Sequence, residues 1–588
     1  RFPVGPPFDS LYSLSVNHKM RDSIKKNLSE TVSKKFGLKQ VPDFSVETPE
    51  NSTHGDYAAN IALVLARQLK KNPLDIARII DMQLETWNLK HGLKTEIAPP
   101  GFINFFLSPK ILGETLKDIL KKKNKFGQGA KKKETIVVEY SSPNIAKPLG
   151  IHHLRTTVIG QAVVNILRFV GYKTVSLSFP GDWGTQFGHL IAGYKLWGKP
   201  EKIKQNPIKE LLKLYVMFSQ AAQGHPEMIA EGRREFKKLE EGNKENLRLW
   251  KWFARESYKD FNRVYKMLGV KIEHTIGESY YEPELKKLVD EALKKGVAKK
   301  GDDGSVVILL KDSSTPEIIR KSDGATIYTT RELTAIRHRL KKWRADKILY
   351  VAANQQTFHL AQVFKAAEAL GLAKKGQLEH VKFGMVLASG GKKFATREGN
   401  LIPMEDVLKE AVARAKKIVE KLNPKLPLKE KNEITRAVGV GSVKFFDLSQ
   451  NRLSDIVFDW NKMLNLKGAS APYIQYAYAR LKSIMRKSKT KMSRFDAAQL
   501  KEKEETDLIR HLARFPETVE GAGSRYEPNR LADYLLKLAE KINSLYEKVP
   551  ILNAESKLKT ARLMLITAAA LVLKNGMNLL GIEMPERM

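Results

Sequence analysis

The sequence predicts an α/β protein. A doubly wound parallel sheet carries a helical insertion, an α+β domain precedes it, and an all-α domain follows. Three observations carry this reading. The run Thr135-Ile136-Val137-Val138-Glu139-Tyr140 is short, apolar and β-branched, as a strand covered on both faces should be. A loop rich in Ser, Pro and Asn then leads to Gly150, an amphipathic helix from about Ile151 to Val170, and a second strand from Thr174 to Phe179. Strand, helix, strand is how a parallel sheet begins. After about Met404 the pattern is helical to the end.

The other elements follow in order. Ile24, Leu28, Val32 and Phe36 recur every four residues, which predicts a first helix from Met20. A loop with Pro42, Pro49 and His54-Gly55-Asp56 precedes a second helix, read over Tyr57 to Lys70, and Thr95 to Leu107 alternates like a strand. The basic stretch Lys121 to Lys133 marks the first domain boundary. Charged helices over about 189–275 read as an insertion, and strand signals return at Ser305 to Leu310 and Lys347 to Val351. The expected division is an extension or remnant at 1–19, an N-terminal domain at 20–130, a sheet domain at 131–404 and a helical domain at 405–588.

Composition narrows the function. The 588 residues are too many for one small domain, and 42% hydrophobic residues suffice for real cores. Against 65 Asp and Glu stand 102 Lys and Arg, a formal charge of +37, which points to a polyanion, nucleic acid before an anionic membrane. The absence of cysteine excludes disulfides, thiolate zinc sites and cysteine nucleophiles. The apolar run Leu563 to Leu573, broken by Thr567, is too short to span a bilayer, so no membrane partner is expected.

The loop after the first strand reads Ser141-Ser142-Pro143-Asn144-Ile145-Ala146-Lys147-Pro148-Leu149-Gly150-Ile151-His152-His153-Leu154-Arg155. In an open parallel sheet this crossover sets a helix N-terminus over the ligand crevice, where the dipole favours phosphate. His and Lys would add positive charge there. Neither GxxxxGK[ST] nor GxGxxG occurs in this loop. Two adjacent histidines alone would more simply cap and pack a helix. Their side chains diverge and no His-x₃-His partner is near, so no metal site is expected.

The run from Val138 to Pro148 strongly resembles the arginyl-tRNA synthetases, a class I family. So do Gly181-Asp182-Trp183-Gly184-Thr185-Gln186-Phe187-Gly188, Gly277-Glu278-Ser279, Lys321-Ser322-Asp323-Gly324, Tyr328-Thr329-Thr330-Arg331, Gln356 with His359, and the ending Pro585-Glu586-Arg587-Met588. The resemblance runs from about Met20 to Met588. It implies a Rossmann-like catalytic sheet and a ligase that joins L-arginine to tRNA(Arg) through an arginyl-adenylate, using ATP and Mg²⁺, with tRNA bound before activation. A cytoplasmic monomer is expected, with the mitochondrial matrix as the other compartment.

The resemblance also assigns residues. Glu139, Asn144, Tyr328, Glu332 and Gln356 match arginine-pocket positions, and a carboxylate suits a planar guanidinium. Lys147, Gly150, His152, His153 and Lys393 match catalytic or ATP-binding positions. In the helical domain, Tyr473, Tyr476, Tyr546 and Met588 match anticodon-facing positions. Tyr473 and Tyr476 are three apart, so both are expected on one helix face, ready to stack on unpaired bases. Asn60 belongs to an N-terminal domain resembling one that touches the tRNA elbow.

Several positions depart from the family. The first signature is usually His-x-Gly-His; here it is Gly150, Ile151, His152 and His153. In the second, over Gly391 to Asn400, Lys393 keeps the first lysine, Phe394 and Ala395 replace Met and Ser, and Glu398 stands where many relatives have Lys. Lys147 matches a lysine thought to compensate. Glu332 stands where Asp is common. Lys491-Met492-Ser493-Arg494 reads as a basic turn. These departures motivate a second reading, a tRNA- or RNA-binding relative without ligase activity.

Overall fold

The computed structural model describes residues 20–49, 51–310, 316–388, 402–489 and 494–588. The 1–19 extension, the second signature with Lys393 and Glu398, and Lys491-Met492-Ser493 lie outside the described residues. The N-terminal domain is a four-stranded antiparallel sheet in the order β1 (Val46–Glu47), β2 (Tyr57–Ala59), β4 (Phe102–Leu107), β3 (Leu93–Ala98). Its first helix, Met20–Phe36, buries Met20, Ile24, Leu28 and Val32, as the four-residue spacing predicts.

Two expectations here need correction. Tyr57 to Lys70 is not one helix: Tyr57–Ala59 pairs with Ile103–Phe105, and only Ile61–Leu69 is helical. The Asp56 N–H donates to the Phe105 carbonyl at 2.7 Å, and the Asp56 carboxylate accepts from the Leu107 N–H at 2.8 Å. Those bonds to a distant strand override the local helical preference. Thr95 to Leu107 is likewise a hairpin rather than one strand, turning at Pro99-Pro100-Gly101. Gly101 has φ of +149°, and a Cβ there would lie 2.7 Å from Pro73, so the turn needs glycine.

The central sheet is parallel throughout. It contains β5 (Thr135–Glu139), β6 (Lys173–Ser178) and β7 (His274–Thr275). A separate antiparallel sheet of β8 (Ala298–Lys300), β9 (Val306–Ile308) and β10 (Glu317–Arg320) intervenes before β11 (Lys347–Tyr350) and β12 (Leu378–His380). The central order is β12-β11-β5-β6-β7. The strand signal at Ser305 to Leu310 therefore belongs to the small sheet. The chain leaves β5 for β6 on one side and returns to β11 on the other. That reversal opens a crevice at the carboxyl ends of β5 and β11.

The helix Leu154–Phe169 crosses over β5, and Gly160 makes the approach possible: a Cβ there would meet Tyr140 Cγ at 2.2 Å. Five helices between Thr185 and Leu268 form the insertion. The helical domain ends in Ser556–Leu579, whose apolar run is buried among neighbouring helices. No described helix is long and apolar enough to cross a membrane.

Arg155, from the first turn of the crossover helix, joins the sheet domain to the helical domain. Its Nε lies 3.2 Å from Asp447 Oδ2, and its Nη1 donates to the Gly384 and Ser454 carbonyls at 2.8 and 2.7 Å. Both side chains are buried. Removing one partner of such a pair strands the other charge at a cost of about 3–5 kcal/mol. Asp447→Ala should therefore lower the melting temperature markedly. Arg155→Met with Asp447→Leu should lose much less than Asp447→Ala, which differential scanning calorimetry would check.

Candidate active site

The loop from Ser141 to Gly150 leaves β5 in an unusual backbone. Ser141 and Ala146 have φ of +54° and +61°, a region that non-glycine residues seldom occupy. Three side chains from two helices hold it there. Ser141 Oγ lies 2.7 Å from Thr157 Oγ1 and 2.9 Å from the Tyr265 hydroxyl, and the Ala146 N–H donates to Ser257 Oγ at 2.8 Å. Tyr265 and Ser257 come from the insertion's last helix, Lys244–Leu268, so the insertion braces the loop.

The loop delivers its residues to a cavity of about 580 Å³ at the crevice. Among the sequence-predicted residues, Glu139, Asn144, His152, His153, Tyr328 and Gln356 line it. Four do not. Gly150 lies in the wall, bridged to Pro403, and its N–H donates to His153 Nδ1 at 3.2 Å. Lys147 is half-buried with its ammonium 4.7 Å from the centre of the Tyr215 ring. Glu332 is buried behind Tyr328, and Lys393 is outside the described residues.

One end of the cavity suits phosphate. A short turn, Ile151–His153, opens the helix Leu154–Phe169 and aims its positive end at the space. Burial and the neighbouring His152 hold the His153 imidazole well below its ordinary pKa, so it is neutral. Because His153 Nδ1 accepts from Gly150, its proton sits on Nε2, leaving one donor. The His152 ring stands 3.8 Å from that of His153 and is exposed. Partial desolvation against the cavity wall lowers its pKa too, even though much of the ring meets solvent.

The other end is acidic. Glu139, last in β5, places Oε2 2.5 Å from Nη1 of Arg339, and its Oε1 accepts from Ser142 Oγ at 3.3 Å. Arg339 is fully buried, donates to the Tyr350 hydroxyl at 3.1 Å, and lies 4.9 Å from the Phe179 ring centre. Glu278 also lines the cavity, and burial pushes its carboxyl up to about 7. Asp182 is buried, accepts from the Ser279 N–H and hydroxyl at 2.8 Å each, and accepts from the Tyr258 hydroxyl at 3.0 Å. The sequence strings around Gly181 and Gly277 are thus one structural unit, in which a Cβ on Gly277 would strike Asp182 at 2.1 Å.

Sequence reasoning assigned no role to Asp182, Glu278 or Arg339. The first two stand inside the quoted strings, so a signal existed. Arg339 sits in the basic run Arg337 to Lys342 and reads as one more solvated charge.

A second surface lies in the helical domain. A groove of about 770 Å³ is lined by Tyr476, Arg480, Tyr546, Lys487 and Met588, among others. The Arg480 guanidinium sits between two rings, 4.8 Å from Tyr476 and 4.3 Å from Tyr546. Tyr473, three residues before Tyr476, is half-buried like it, but packs against the main core and does not line the groove. Asn60, just after β2, spends its amide oxygen on the Ser45 N–H at 2.9 Å and so holds the chain entering β1.

Comparison with known proteins agrees with this architecture. The family description "tRNA synthetases class I (R), catalytic domain" matches residues 115–460, a DALR anticodon binding domain matches 474–588, and an arginyl tRNA synthetase N terminal domain matches 18–107. Arginine–tRNA ligase 1 of Bacillus cereus is 40% identical over 96% of this chain and 98% of its own length. The arginine–tRNA ligase of Enterococcus faecalis is 37% identical over 97% and 100%. Among solved structures, arginyl-tRNA synthetases of Plasmodium falciparum and Thermus thermophilus superpose with TM-scores of 0.81 and 0.79, each at 24% identity and over 97% of this chain and 99% and 100% of theirs. With the crevice, the acidic pocket and near-full-length identity in agreement, this chain belongs to the arginyl-tRNA synthetases of class I.

Proposed function

We propose that the chain is an arginine–tRNA ligase, which activates L-arginine with ATP to arginyl-adenylate and transfers the arginyl group to the 3′ end of tRNA(Arg). The observation that carries this reading is the division of one cavity into a helix N-terminus with a neutral histidine and a cluster of carboxyls. The first end suits a triphosphate, the second a guanidinium.

In this reading Glu139, Tyr328 and Glu332 receive the guanidinium, while Asn144 and Gln356 orient the amino-acid end. The arginine carboxylate then attacks the α-phosphate, and pyrophosphate leaves. The terminal ribose hydroxyl of tRNA attacks the adenylate carbonyl, and AMP leaves. No protein nucleophile is needed, so the residues act by positioning and by stabilising charge. His153 donates from Nε2 to a phosphate oxygen, with His152 beside it. Lys147 would have to leave the Tyr215 ring to reach the phosphates, and Lys393 is assigned by sequence alone. Mg²⁺ would supply charge stabilisation on the triphosphate and would enter with ATP. We place the enzyme in the cytoplasm or the mitochondrial matrix, as a monomer. The second reading, an RNA binder without ligase chemistry, finds no support in relatives that are named as ligases.

Arginylation of a matching tRNA with ATP and Mg²⁺ tests the proposal, and tRNA binding without charging would sink it. Glu139→Gln should reduce kcat/KM for arginine by on the order of 10²-fold, since a charge-assisted hydrogen bond contributes about 1.5–3 kcal/mol. Gly150→His combined with His152→Gly should raise the rate of adenylate formation if those residues impair ATP binding. An unchanged or lower rate in single-turnover assays would show that they are accommodated. In the anticodon groove, Tyr546→Ala should weaken tRNA binding by about 1–3 kcal/mol, the usual contribution of one stacked base, in filter-binding titrations.

A further inference from the structure

We infer that the helical insertion carries an RNA-docking surface. A basic groove between its first two helices and its last one holds the acceptor arm of the tRNA by its phosphates and offers Trp252 to a base. The inference rests on the ligase reading above and adds where the substrate strand is held outside the cavity.

The groove encloses about 830 Å³. Lys204, on the helix Pro200–Gln205, stands on one side of it. Lys244, Arg248, Lys251 and Arg255, on the helix Lys244–Leu268, stand on the other. All five are exposed, and among the described residues no Asp or Glu lines the groove. The four on the last helix are spaced four, three and four residues apart, which sets them on one face. At about 1.5 Å per residue the stripe runs about 16 Å, enough to meet several consecutive phosphates of one strand. Lys204 pairs with Glu201 and Arg255 with Glu256, each at 3.1 Å. Lys244, Arg248 and Lys251 make no ion pair among the described residues, so their charge is left for a partner.

A solvated face of lysines needs no aromatic lining, and this groove has one. Tyr194 and Trp252 both line it, half-buried, and meet edge to face with ring centres 5.9 Å apart. Cations on the rim and rings between them suit an RNA strand, phosphates on the first and an unpaired base on the second. The last helix also sets which strand. Its Trp250 Nε1 donates to the Asp182 carbonyl at 2.7 Å beside the cavity, and its Ser257 holds the catalytic loop at Ala146. Groove and cavity therefore share one helix, about 10 Å across, and face different sides of it. Aminoacyl transfer brings the 3′ end of the tRNA into the cavity, so the RNA within reach of the groove is the arm that leads to that end.

The test is filter binding of an RNA minihelix, the acceptor stem with its 3′ end and no anticodon arm, to the full chain over a range of salt. The unaltered chain should bind it. Arg248→Glu with Lys251→Glu should lower the affinity at least about tenfold and flatten the slope of log K against log salt by about 1.4–1.8, the share of two phosphate contacts. Trp252→Ala should cost about tenfold with the slope unchanged. Lys286→Glu with Lys287→Glu makes the same change of net charge on the exposed face of the helix Glu282–Lys294 and should have a far smaller effect. ATP binding equal to that of the unaltered chain shows that each variant is folded. An unaltered chain that does not bind the minihelix, or a groove reversal that costs no more than the Lys286 and Lys287 pair, would overturn the inference. Weaker binding of full-length tRNA with minihelix binding intact would overturn it by moving the contact to another arm. Groove-dependent minihelix binding by a chain that makes no arginyl-tRNA would support the RNA surface and overturn the ligase reading instead.

Discussion

The buried Arg155–Asp447 pair is the constraint on which the arrangement depends. Arg155 stands two residues after His153, on the turn that opens the crossover helix. Its guanidinium holds Asp447 of the helical domain and the carbonyls of Gly384 and Ser454. Those carbonyls flank the short parallel pair β13 (Val386–Leu387) and β14 (Ile456–Val457). One side chain therefore fixes the histidine-bearing turn, the loop after β12 and the helical domain together. Breaking a buried ion pair is costly, so the pair and the two Nη1 hydrogen bonds tie the helix N-terminus to these segments, although Arg155 Nε and Nη2 are buried without hydrogen-bond partners.

The acidic end follows a related logic with the opposite outcome. Arg339 neutralises Glu139 internally and stacks near Phe179 and Tyr350, which fixes the Glu139 carboxylate at the strand end. Burial raises the pKa of the other carboxyls, Glu332 and Glu278, while Arg339 and Arg331 respectively pull it back down. A pocket built this way prefers a cation, and a planar donor fork above a point charge.

The altered first signature can be read in the same physical terms. Gly150 has an ordinary extended backbone, so no positive φ demands glycine there. Its N–H still fixes the tautomer of His153, the histidine that the family pattern retains. His152 adds an imidazole at the rim, tilted against that of His153. The part of the signature that rests on backbone and on His153 is therefore intact, and the change falls on a side chain that faces the cavity.

Much of this was legible in the sequence. The buried strand at Thr135, the crossover helix, the helical insertion and the helical carboxyl-terminal half were all set by local periodicity and by apolar runs, which depend on neighbours a few residues away. Cavity residues such as Glu139, Asn144 and His153 were legible because they sit in one contiguous string. Tertiary structure decided what sequence spacing cannot encode. The strand at Tyr57 formed because Phe105 was there to pair with it, and of two half-buried tyrosines three residues apart only Tyr476 lines the groove. The partners of Arg155 and Arg339 come from distant parts of the chain. A charged residue in a basic run looks solvated until folding removes the water around it. Burial, which turns a surface charge into a fixed electrostatic part of a site, is a property of packing alone.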